Sequence, residues 1–373
     1  MNLLIKRNPN DPYVYQHAAM LEISEQNVPR AGQHLERALD LAPNESSIRD
    51  TKGRFVLMSA IQEVNSFLAD QKFAEAEQIF KNNAHAQPEE PYAYKHLAET
   101  YLAWANRQAN DDARMKLITL AYDTISKGLA KCSSTSMLLQ KQAEIEQDVL
   151  QHPDAARKIF AQIFEQRPGD TASRFLAATL EEQEGHPEAA LAVLLAGVDS
   201  AQNDHHLRYR IARLMSEHDA GSDSEIRGHF DAAMLGSIRN VVPRIAYAAY
   251  LFSRGDYPAM NKRFAELNRV PATKHERNRS YTFNFANIRD RMDGRVTALS
   301  HSSGRVEVNQ GETEVFFSPL NAKAAVRANL SVGTRVSFSL VFNMKGPVAV
   351  NLALCEVQAI PQPQMTVQLS LLQ

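Results

Sequence analysis

The sequence has 373 residues, 44% of them apolar and 23% charged, and its formal net charge is −2. This composition excludes a disordered chain and one that binds polyanions over its whole surface, and the length exceeds what one ordinary core needs. No run reaches the roughly 18 consecutive apolar residues of a membrane span. The two cysteines, Cys132 and Cys355, are too few for a disulfide scaffold or a cysteine-rich zinc site, which predicts a reducing, cytoplasmic location.

A pattern of small and large apolar residues recurs in the first half of the chain. From Ala31, the steps to Leu35, Ala38 and Pro43 are four, three and five residues long. The same steps recur in two later runs, Ala76–Phe80–Asn83–Pro88 and Ala156–Phe160–Ile163–Pro168. Small residues let paired helices approach closely, large ones fill the space between pairs, and a proline ends the second helix of each pair. The pattern therefore predicts a series of helical hairpins.

These residues resemble the tetratricopeptide repeat, a helix pair of about 34 residues. The interval from Ala156 to Ala190 is 34 residues, whereas those from Ala31 to Ala76 and from Ala76 to Ala121 are 45. We expect the extra residues of the first long interval to form one long helix over 44–70, and those of the second to lengthen a turn over 107–116. The resemblance covers roughly residues 1–268 and implies a mainly α fold, a solenoid of helical repeats.

The resemblance also implies a binding surface, because the first helices of such repeats line the concave face of the solenoid. Chaperone-binding members of the family hold a C-terminal carboxylate with asparagines there, but the matching positions are Met20, Glu99, Ile145 and Thr179. A mixed apolar and charged groove instead favours a folded or helical protein as the partner. The candidate groove residues are Tyr13, Gln16, Met20, Tyr92, Lys95, Glu99, Lys141, Ile145, Phe175 and Thr179.

The first residues, LLIKRNPND, match the end of a second helix, as in RALDLAPNE at 37–45. The sequence thus begins in the middle of a repeat, which is unfavourable because terminal repeats need a polar outer face. We expect it to be the C-terminal recognition part of a larger protein, and bacterial signalling and defence proteins that end in helical-repeat sensors offer an analogy. A degenerate first repeat in a complete chain is the alternative.

After Val270 the pattern changes from helical spacing to alternation. Five short runs, RVTALS, GRVEV, EVFFS, TRVSFSLVF and PVAVNLAL, are separated by Gly, Asn, Ser or Pro turns, which predicts a small five-stranded β-barrel. The runs EVFF and KGPVAVNL, and the order of the strands, resemble a cold-shock domain, a barrel of the OB type. We expect a linker over 269–292, the barrel over 293–358 and a C-terminal tail over 359–373.

The resemblance to cold-shock domains implies single-stranded nucleic acid as a ligand, since that family stacks bases on aromatic residues of its second and third strands. Here the second strand, SGRVEV at 303–308, carries no aromatic residue. Phe316 and Phe317 remain on the third strand, and alternation places one of them in the core. A barrel used for protein contacts is therefore favoured over one that binds RNA.

The approach to the barrel keeps nucleic acid as the alternative partner. Tyr281, Phe283 and Phe285 alternate among basic residues, and basic groups interleaved with aromatic ones suit phosphates and bases. The other interpretation is that this YTFNF run packs its aromatic rings under the barrel. The candidate nucleic-acid-binding residues are Lys274, Arg277, Arg279, Arg289, Arg291, Arg295, Arg305, Phe316 and Phe317.

The sequence contains no motif of a common enzyme class: no GxxxxGK[ST] phosphate loop, no GxGxxG after a strand and no HExxH. His205 and His206 are adjacent, so on a helix they point about 100° apart and do not easily share a metal ion. The sequence therefore predicts a non-enzymatic protein-binding scaffold or sensor without cofactor or metal. An adaptor that binds single-stranded RNA or DNA is the alternative.

Overall fold

The computed structural model describes residues 2–25, 27–237, 240–285, 288, 290–308 and 311–355. They belong to two compact units, Met1–His186 and Pro187–Gln373. In the described part of the chain, no helix is both long and apolar enough to cross a membrane. The predicted tail over 359–373 lies outside the described residues.

The first unit is built from helices α1 to α10, with a π-helical turn at Ile145–Val149 directly after α8. The helices are α1 (Asn2–Arg7), α2 (Pro12–Ser24), α3 (Val28–Leu41), α4 (Ser46–Gln62), α5 (Ser66–Ala86), α6 (Pro91–Ala105), α7 (Asp111–Lys131), α8 (Ser136–Glu144), α9 (Pro153–Gln166) and α10 (Thr171–Gln183).

Consecutive helices of this unit pack as hairpins, α2 with α3, α4 with α5, α6 with α7 and α8 with α9. The first helices α2, α4, α6 and α8 also contact one another in series, so they share one face of the unit. Pro43, Pro88 and Pro168 each lie two residues beyond the end of a second helix, where proline cannot continue the hydrogen-bond ladder. The predicted solenoid of tetratricopeptide-like hairpins is therefore confirmed.

The two long repeat intervals arise differently from what we expected. Residues 44–70 form two helices, because α4 ends at Gln62 and α5 begins at Ser66. The turn before α7 is short, and α5 and α7 each have 21 residues, against 14 in α3 and α9. About seven residues, close to two turns, are thus added at the N-terminal ends of α5 and α7, which keeps Ala76 and Ala121 on the buried face.

The break between α4 and α5 is stabilised from both sides of the chain. The Asn65 side chain accepts a hydrogen bond from the Leu68 amide at 3.1 Å and so caps α5. From the neighbouring hairpin, the Arg107 guanidinium donates to the carbonyl oxygens of Ile61 and Glu63 at the end of α4, at 3.3 and 2.9 Å. Local capping and a contact from a distant residue together end the helix that we expected to continue.

The second unit combines helices with a barrel. Its elements are α11 (Pro187–Leu195), α12 (His205–His218), α13 (Asp223–Met234), α14 (Val242–Ser253), α15 (Tyr257–Leu267), α16 (Lys274–Asn278), β1 (Met292–Leu299), β2 (Gly304–Val308), β3 (Thr313–Phe317), α17 (Ala324–Ala328), β4 (Arg335–Asn343) and β5 (Gly346–Leu354). Helices α12 with α13 and α14 with α15 form further hairpins.

The five strands close into a barrel in the order β1-β2-β3-β5-β4, which confirms the predicted five-stranded barrel. β1 pairs with both β2 and β4, and β3 pairs with β5 in parallel, whereas the other pairs are antiparallel. Alternate residues such as Val306, Val315 and Phe317 are fully buried inside. Phe316 is 44% exposed, so the prediction that only one of these two phenylalanines reaches the core is confirmed.

Phe342 of β4 joins the barrel to the helices of the second unit. Its ring contacts Phe252 of α14 and Phe283, with centroids 5.6 and 6.1 Å apart. Its backbone exchanges two hydrogen bonds with Tyr281, at 2.8 and 2.9 Å. Phe283 and Phe285 are buried and stacked on each other. The aromatic residues of the YTFNF run therefore pack under the barrel, as the second of the two interpretations proposed.

Candidate functional site

A groove in the first unit lies between the first helices α2, α4 and α6, and it is closed at one end by the last residues of α5. This α2–α4–α6 groove has a volume of about 540 Å³. Its lining residues are Gln16, Met20, Ser46, Ser47, Asp50, Thr51, Arg54, Asn83, Gln87, Glu90, Tyr92, Ala93, Lys95 and His96.

The floor of the α2–α4–α6 groove is one polar face of α4. Residues 47, 50, 51 and 54 follow the spacing of a single helical face. Gln16 of α2 holds α2 against this face, because its side-chain amide donates to the Ser47 carbonyl at 2.9 Å and to the Thr51 hydroxyl at 3.0 Å. On the other side, a ring nitrogen of His96 lies 2.9 Å from Asp50 Oδ1. These hydrogen bonds position α2 and α6 around α4.

Two lining side chains retain unused hydrogen-bonding or charge capacity. Asn83 is only 8% exposed, and its amide nitrogen has no hydrogen-bond partner in the described part of the chain. A buried donor without a partner costs about 1–3 kcal/mol. Arg54 is half-buried, and none of the described residues forms an ion pair with it. The groove therefore offers one cation to an incoming group, and it would offer one amide donor once the buried Asn83 side chain turns toward it.

The residues predicted for the binding surface are distributed along this face. Gln16, Met20, Tyr92 and Lys95 line the α2–α4–α6 groove, and Tyr13 is 47% exposed at the start of α2. The remaining ones do not line that groove, and all of them except Glu99 of α6 lie beyond α6 and α7 in the chain. Phe175 and Thr179 lie together on α10, where the Thr179 hydroxyl donates to the Phe175 carbonyl at 2.8 Å.

Ile145 is a correction to the predicted set. Its side chain is fully buried in a core cluster with Tyr94, Leu97 and Leu138. It is the first residue of the π-helical turn, and an apolar side chain at this position packs inward. A ligand on the surface cannot contact it.

Three of the predicted residues form a chain of charges that begins at Lys95 in the groove and continues beyond it. Glu99 forms ion pairs with Lys95 at 3.7 Å and with Lys141 at 3.5 Å, and Lys141 also contacts Glu144. Burial of Lys141 opposes its charge, but the bond to Glu144 and the attraction of both glutamates outweigh it and raise the pKa of Lys141. These side chains satisfy one another, so they tie α6 to α8 as well as presenting charge.

The barrel presents a surface of alternating charge on β1, β2 and β3. Arg305 contacts Glu314 at 3.3 Å, and Arg295 lies 4.0 Å from Glu307. The Thr297 hydroxyl donates to Glu314 at 2.8 Å. Phe316 is paired across the strands with Arg305. The two arginines predicted for phosphate binding on this surface are thus each matched by a glutamate.

Three of the other predicted basic residues serve internal contacts. Arg277 donates to the carbonyl oxygens of Asn268 and Val270, and Arg291 donates to those of Ser337 and Asn351. The Arg279 guanidinium lies 5.5 Å from the centre of the Tyr281 ring. Lys274 is exposed on α16, and Phe317 is buried in the barrel. Arg289 lies outside the described residues.

Sequence reasoning missed the residues at the centre of the groove: Asp50, Thr51, Arg54, Asn83 and His96. The prediction of one long helix over 44–70 does not distinguish α4 as the first helix of a repeat. Asn83 carried a usable signal, because it replaces Ala38 and Ile163 at one register position of the repeat. A polar residue at an otherwise apolar buried position points to a special role. Among the described residues, no group of three or more His, Cys, Asp or Glu side chains is arranged to hold a metal ion.

The hairpins of the first unit define a tetratricopeptide-like helical-repeat fold. No protein-family model matches the chain, and no curated protein matches it. Among solved structures, a thermophilic tetratricopeptide-repeat protein of Thermus thermophilus is 17% identical, covers 55% of this chain and 98% of its own, and has a TM-score of 0.43. The structure of pilF of Pseudomonas aeruginosa is 10% identical, covers 62% of this chain and 96% of its own, and has a TM-score of 0.37. A tetratricopeptide repeat protein of Parabacteroides merdae is 11% identical, covers 71% of this chain and 94% of its own, and has a TM-score of 0.36.

Proposed function

We propose that the chain is a non-enzymatic protein-binding scaffold, and that the α2–α4–α6 groove holds an extended segment of a partner protein. The observation that carries this proposal is the Asn83 amide, a buried donor without a partner in the described chain that lines an open polar groove. An extended segment has main-chain carbonyl oxygens that are free to accept such a hydrogen bond. A partner oxygen that accepts from Asn83, after its buried side chain turns toward the groove, would therefore remove a desolvation cost that the free protein bears.

The rest of the lining supports the same kind of ligand. Arg54 would pair with a carboxylate of the partner, since an arginine guanidinium suits bidentate carboxylate contacts. Tyr92, which is 50% exposed, and Met20 would supply apolar contact at the rim. Aromatic and arginine side chains dominate the binding energy of many protein interfaces. We therefore infer that the partner segment carries an acidic residue next to an apolar one.

Selection of peptides tests this function. A random peptide library on phage is selected against the full chain, and the Kd of an enriched peptide is measured by fluorescence anisotropy. Arg54→Ala and Asn83→Ala should each weaken that peptide about tenfold, the loss typical of a central contact. Arg37→Ala, an exposed arginine of α3 that does not line the groove, is the matched control. Enriched peptides that bind the two groove variants as well as the native chain would refute the proposed groove.

For the barrel, we propose a cold-shock-like fold that contributes protein contacts instead of binding bases. Its strand order, with β1 closing onto β4, supports the OB-type resemblance. Arg295 and Arg305 are each matched by a glutamate, which leaves little net charge for a phosphate backbone. Phe316 is the one exposed aromatic ring on the described residues of β2 and β3, so several stacked bases could not be held there.

Oligonucleotide binding by the full chain distinguishes the two uses of the barrel. We expect oligo(dT) and oligo(rU) to bind weakly and to dissociate near physiological salt, because only counterion release drives the contact. Phe316→Ala should then bind like Phe316→Tyr, which keeps a ring for stacking. Tight binding that persists at physiological salt, and that only Phe316→Ala abolishes, would make the chain a nucleic-acid adaptor.

A further inference from the structure

A second groove in the first unit lies on another face of α4. This α3–α5 groove runs between the two second helices α3 and α5 and has a volume of about 710 Å³. Its lining residues are Val28, Gly32, Leu35, Glu36, Leu39, Lys52, Phe55, Val56, Ser59, Gln62, Glu63, Val64, Lys72 and Glu75. On α4 the lining positions lie about a third of a turn from those of the α2–α4–α6 groove, so the two grooves are separate surfaces.

The α3–α5 groove ends at an apolar tip that remains uncovered. Ile61, Val64, Phe67 and Leu68 surround the α4–α5 turn, and Val64 and Phe67 are 94% and 68% exposed. Clustered exposed apolar side chains of this size mark interaction sites in soluble proteins. Val64 belongs to both the tip and the groove, so the two form one continuous surface.

The lengths of the hairpins explain why only one side of this tip is covered. On the side of α6 and α7, Trp104 stacks on Phe73 with ring centroids 5.7 Å apart, and its ring nitrogen donates to Asp70 at 2.6 Å. Towards α3, the second helix is about two turns shorter than α5 (14 against 21 residues). The extension of α5 therefore lacks on that side the helical neighbour that it has on the other.

We propose that the α3–α5 groove and its tip bind an amphipathic, basic helix of a partner protein. The lining positions on α3 run from Val28 to Leu39, a length of about 16 Å or three helical turns. The floor, formed by Leu35, Phe55 and Val56, is apolar. An extended peptide would leave its backbone groups unpaired against such a floor, whereas a helix satisfies its own.

The charges at the rim specify the sign of the partner. Lys72 pairs with Glu63 at 2.6 Å, and Lys52 lies 3.9 Å from Glu75. The remaining charged lining residue is Glu36, which is exposed and has no ion pair among the described residues. Lysine or arginine residues beside the apolar stripe of the bound helix would complement the net negative rim.

Designed helices test this proposal on the full chain. The probes are labelled peptides of about 18 residues, roughly 27 Å as helices, with leucine at i, i+3, i+4 and i+7 and either lysine or glutamate elsewhere. We expect the lysine helix to bind about tenfold more tightly than the glutamate helix, and Val64→Ser or Phe67→Ser to weaken it about tenfold. Both residues are exposed, so the native Trp104 fluorescence should be retained. Val332→Ser, a matched change at a 65% exposed valine of the barrel, should have no effect.

A charge reversal separates this groove from general hydrophobic adhesion. Glu36→Lys should reduce or invert the preference for the lysine helix, whereas Glu165→Lys, at an exposed glutamate of α9, should not. A control peptide alternates leucine and lysine with a period of two, which is the pattern of a strand. If it bound as tightly as the lysine helix, the proposal of a helical ligand would be overturned. Sedimentation velocity tests for a concentration-dependent dimer. If the chain formed a dimer that Val64→Ser dissociates, and if it bound no helix, the surface would belong to a second copy and the proposal would also be overturned.

Discussion

Gly53 in α4 lies against Ile79 and Phe80 of its hairpin partner α5. A Cβ atom built there would be 2.6 Å from two atoms of the Phe80 ring, and Phe80 is fully buried. Such a distance cannot be relieved without moving the ring or the helix. The absence of a side chain at this position is therefore part of how α4 and α5 pack.

Alanine at Gly53 should therefore destabilise the first unit by about 1–2 kcal/mol, although alanine normally favours a helix by about 0.5–1 kcal/mol. This loss of stability is measured as a decrease in the urea midpoint of unfolding. Unfolding is followed by the fluorescence of Trp104, the single tryptophan. Gly228→Ala in α13 is the control, because its added Cβ meets nothing within 4 Å. That change should increase the hydrogen-exchange protection of α13. A higher urea midpoint for Gly53→Ala would contradict the packing.

Glu181 stabilises the first unit in a manner that depends on pH. Its carboxylate accepts from Arg157 Nε and Nη2 at 2.7 and 3.0 Å, and a His186 ring nitrogen is 3.3 Å away. The Arg157 hydrogen bond, with smaller help from His186, holds the pKa of Glu181 below its ordinary value. At a pH between the folded and the ordinary pKa of Glu181, the unfolded chain binds more protons than the folded chain. The stabilisation by Glu181 is therefore complete above the ordinary pKa and is lost as the pH falls through the folded pKa.

Glu181→Gln should accordingly lower the free energy of unfolding by about 1–3 kcal/mol at about pH 7, with much less effect at about pH 3. Urea titrations followed by Trp104 fluorescence at both pH values provide the comparison. Glu165→Gln, on the exposed side of α9, should be neutral at both. An effect of Glu181→Gln that is equally large at the lower pH would show that the packing of this side chain matters more than its charge.

At the scale of elements, the extensions of α5 and α7 are what distinguish this unit from a regular repeat array. The extension of α5 carries Asp70, which accepts from the Trp104 ring nitrogen, and Arg107 in the turn before α7 bonds the last carbonyl oxygens of α4. The extended hairpins α4–α5 and α6–α7 thus stabilise each other. The shorter α2–α3 hairpin leaves the opposite side of the tip open, which is why the end of the α3–α5 groove is exposed.

The capping residue Asn65 tests whether the break between α4 and α5 is a stable feature. Asn65→Ala should cost about 1 kcal/mol, because the Leu68 amide loses its acceptor, and Asn65→Asp should be nearly neutral. Trp104 fluorescence reports the change directly, since its ring stacks on α5. In one continuous helix over 44–70, alanine would instead be the more stabilising residue, so a stabilised Asn65→Ala variant would restore our first expectation.

At the scale of the whole molecule, two units are built on different principles. In the first, small and large apolar residues at helical spacing form a core along stacked hairpins. In the second, a closed barrel and the hairpin α14–α15 share aromatic residues, with Phe342 at the junction. The barrel and these helices therefore form one body with a common core, within which a single side chain affects both.

Phe342→Ala should destabilise the second unit by about 3–5 kcal/mol, as loss of a buried phenylalanine usually does. Hydrogen exchange should show reduced protection in both β4 and α14. Phe316→Ala, which removes an exposed ring from strand β3, should leave both segments protected. Loss of protection in the barrel alone would mean that the barrel folds independently of the helices.

The sequence by itself determined the features that depend on local spacing. The steps from Ala31 to Pro43 recur at fixed intervals and predicted the hairpins, because one buried face of a helix can be recognised within a few turns. Alternation in the same way predicted five strands and the burial of one of Phe316 and Phe317. Tyr92 and Lys95 were found because they project from the start of a recognisable first helix.

Only the tertiary structure decided where remote residues meet. Nothing near Gln62 in sequence predicts that Arg107 bonds the end of α4, and the same is true of Gln16 against Ser47 and of Arg305 against Glu314. The open tip of the α3–α5 groove follows from hairpin lengths, and the free amide of Asn83 follows from the absence of any acceptor brought near it in the described chain. Such features depend on contacts between residues distant in sequence, which local propensity and periodicity do not encode.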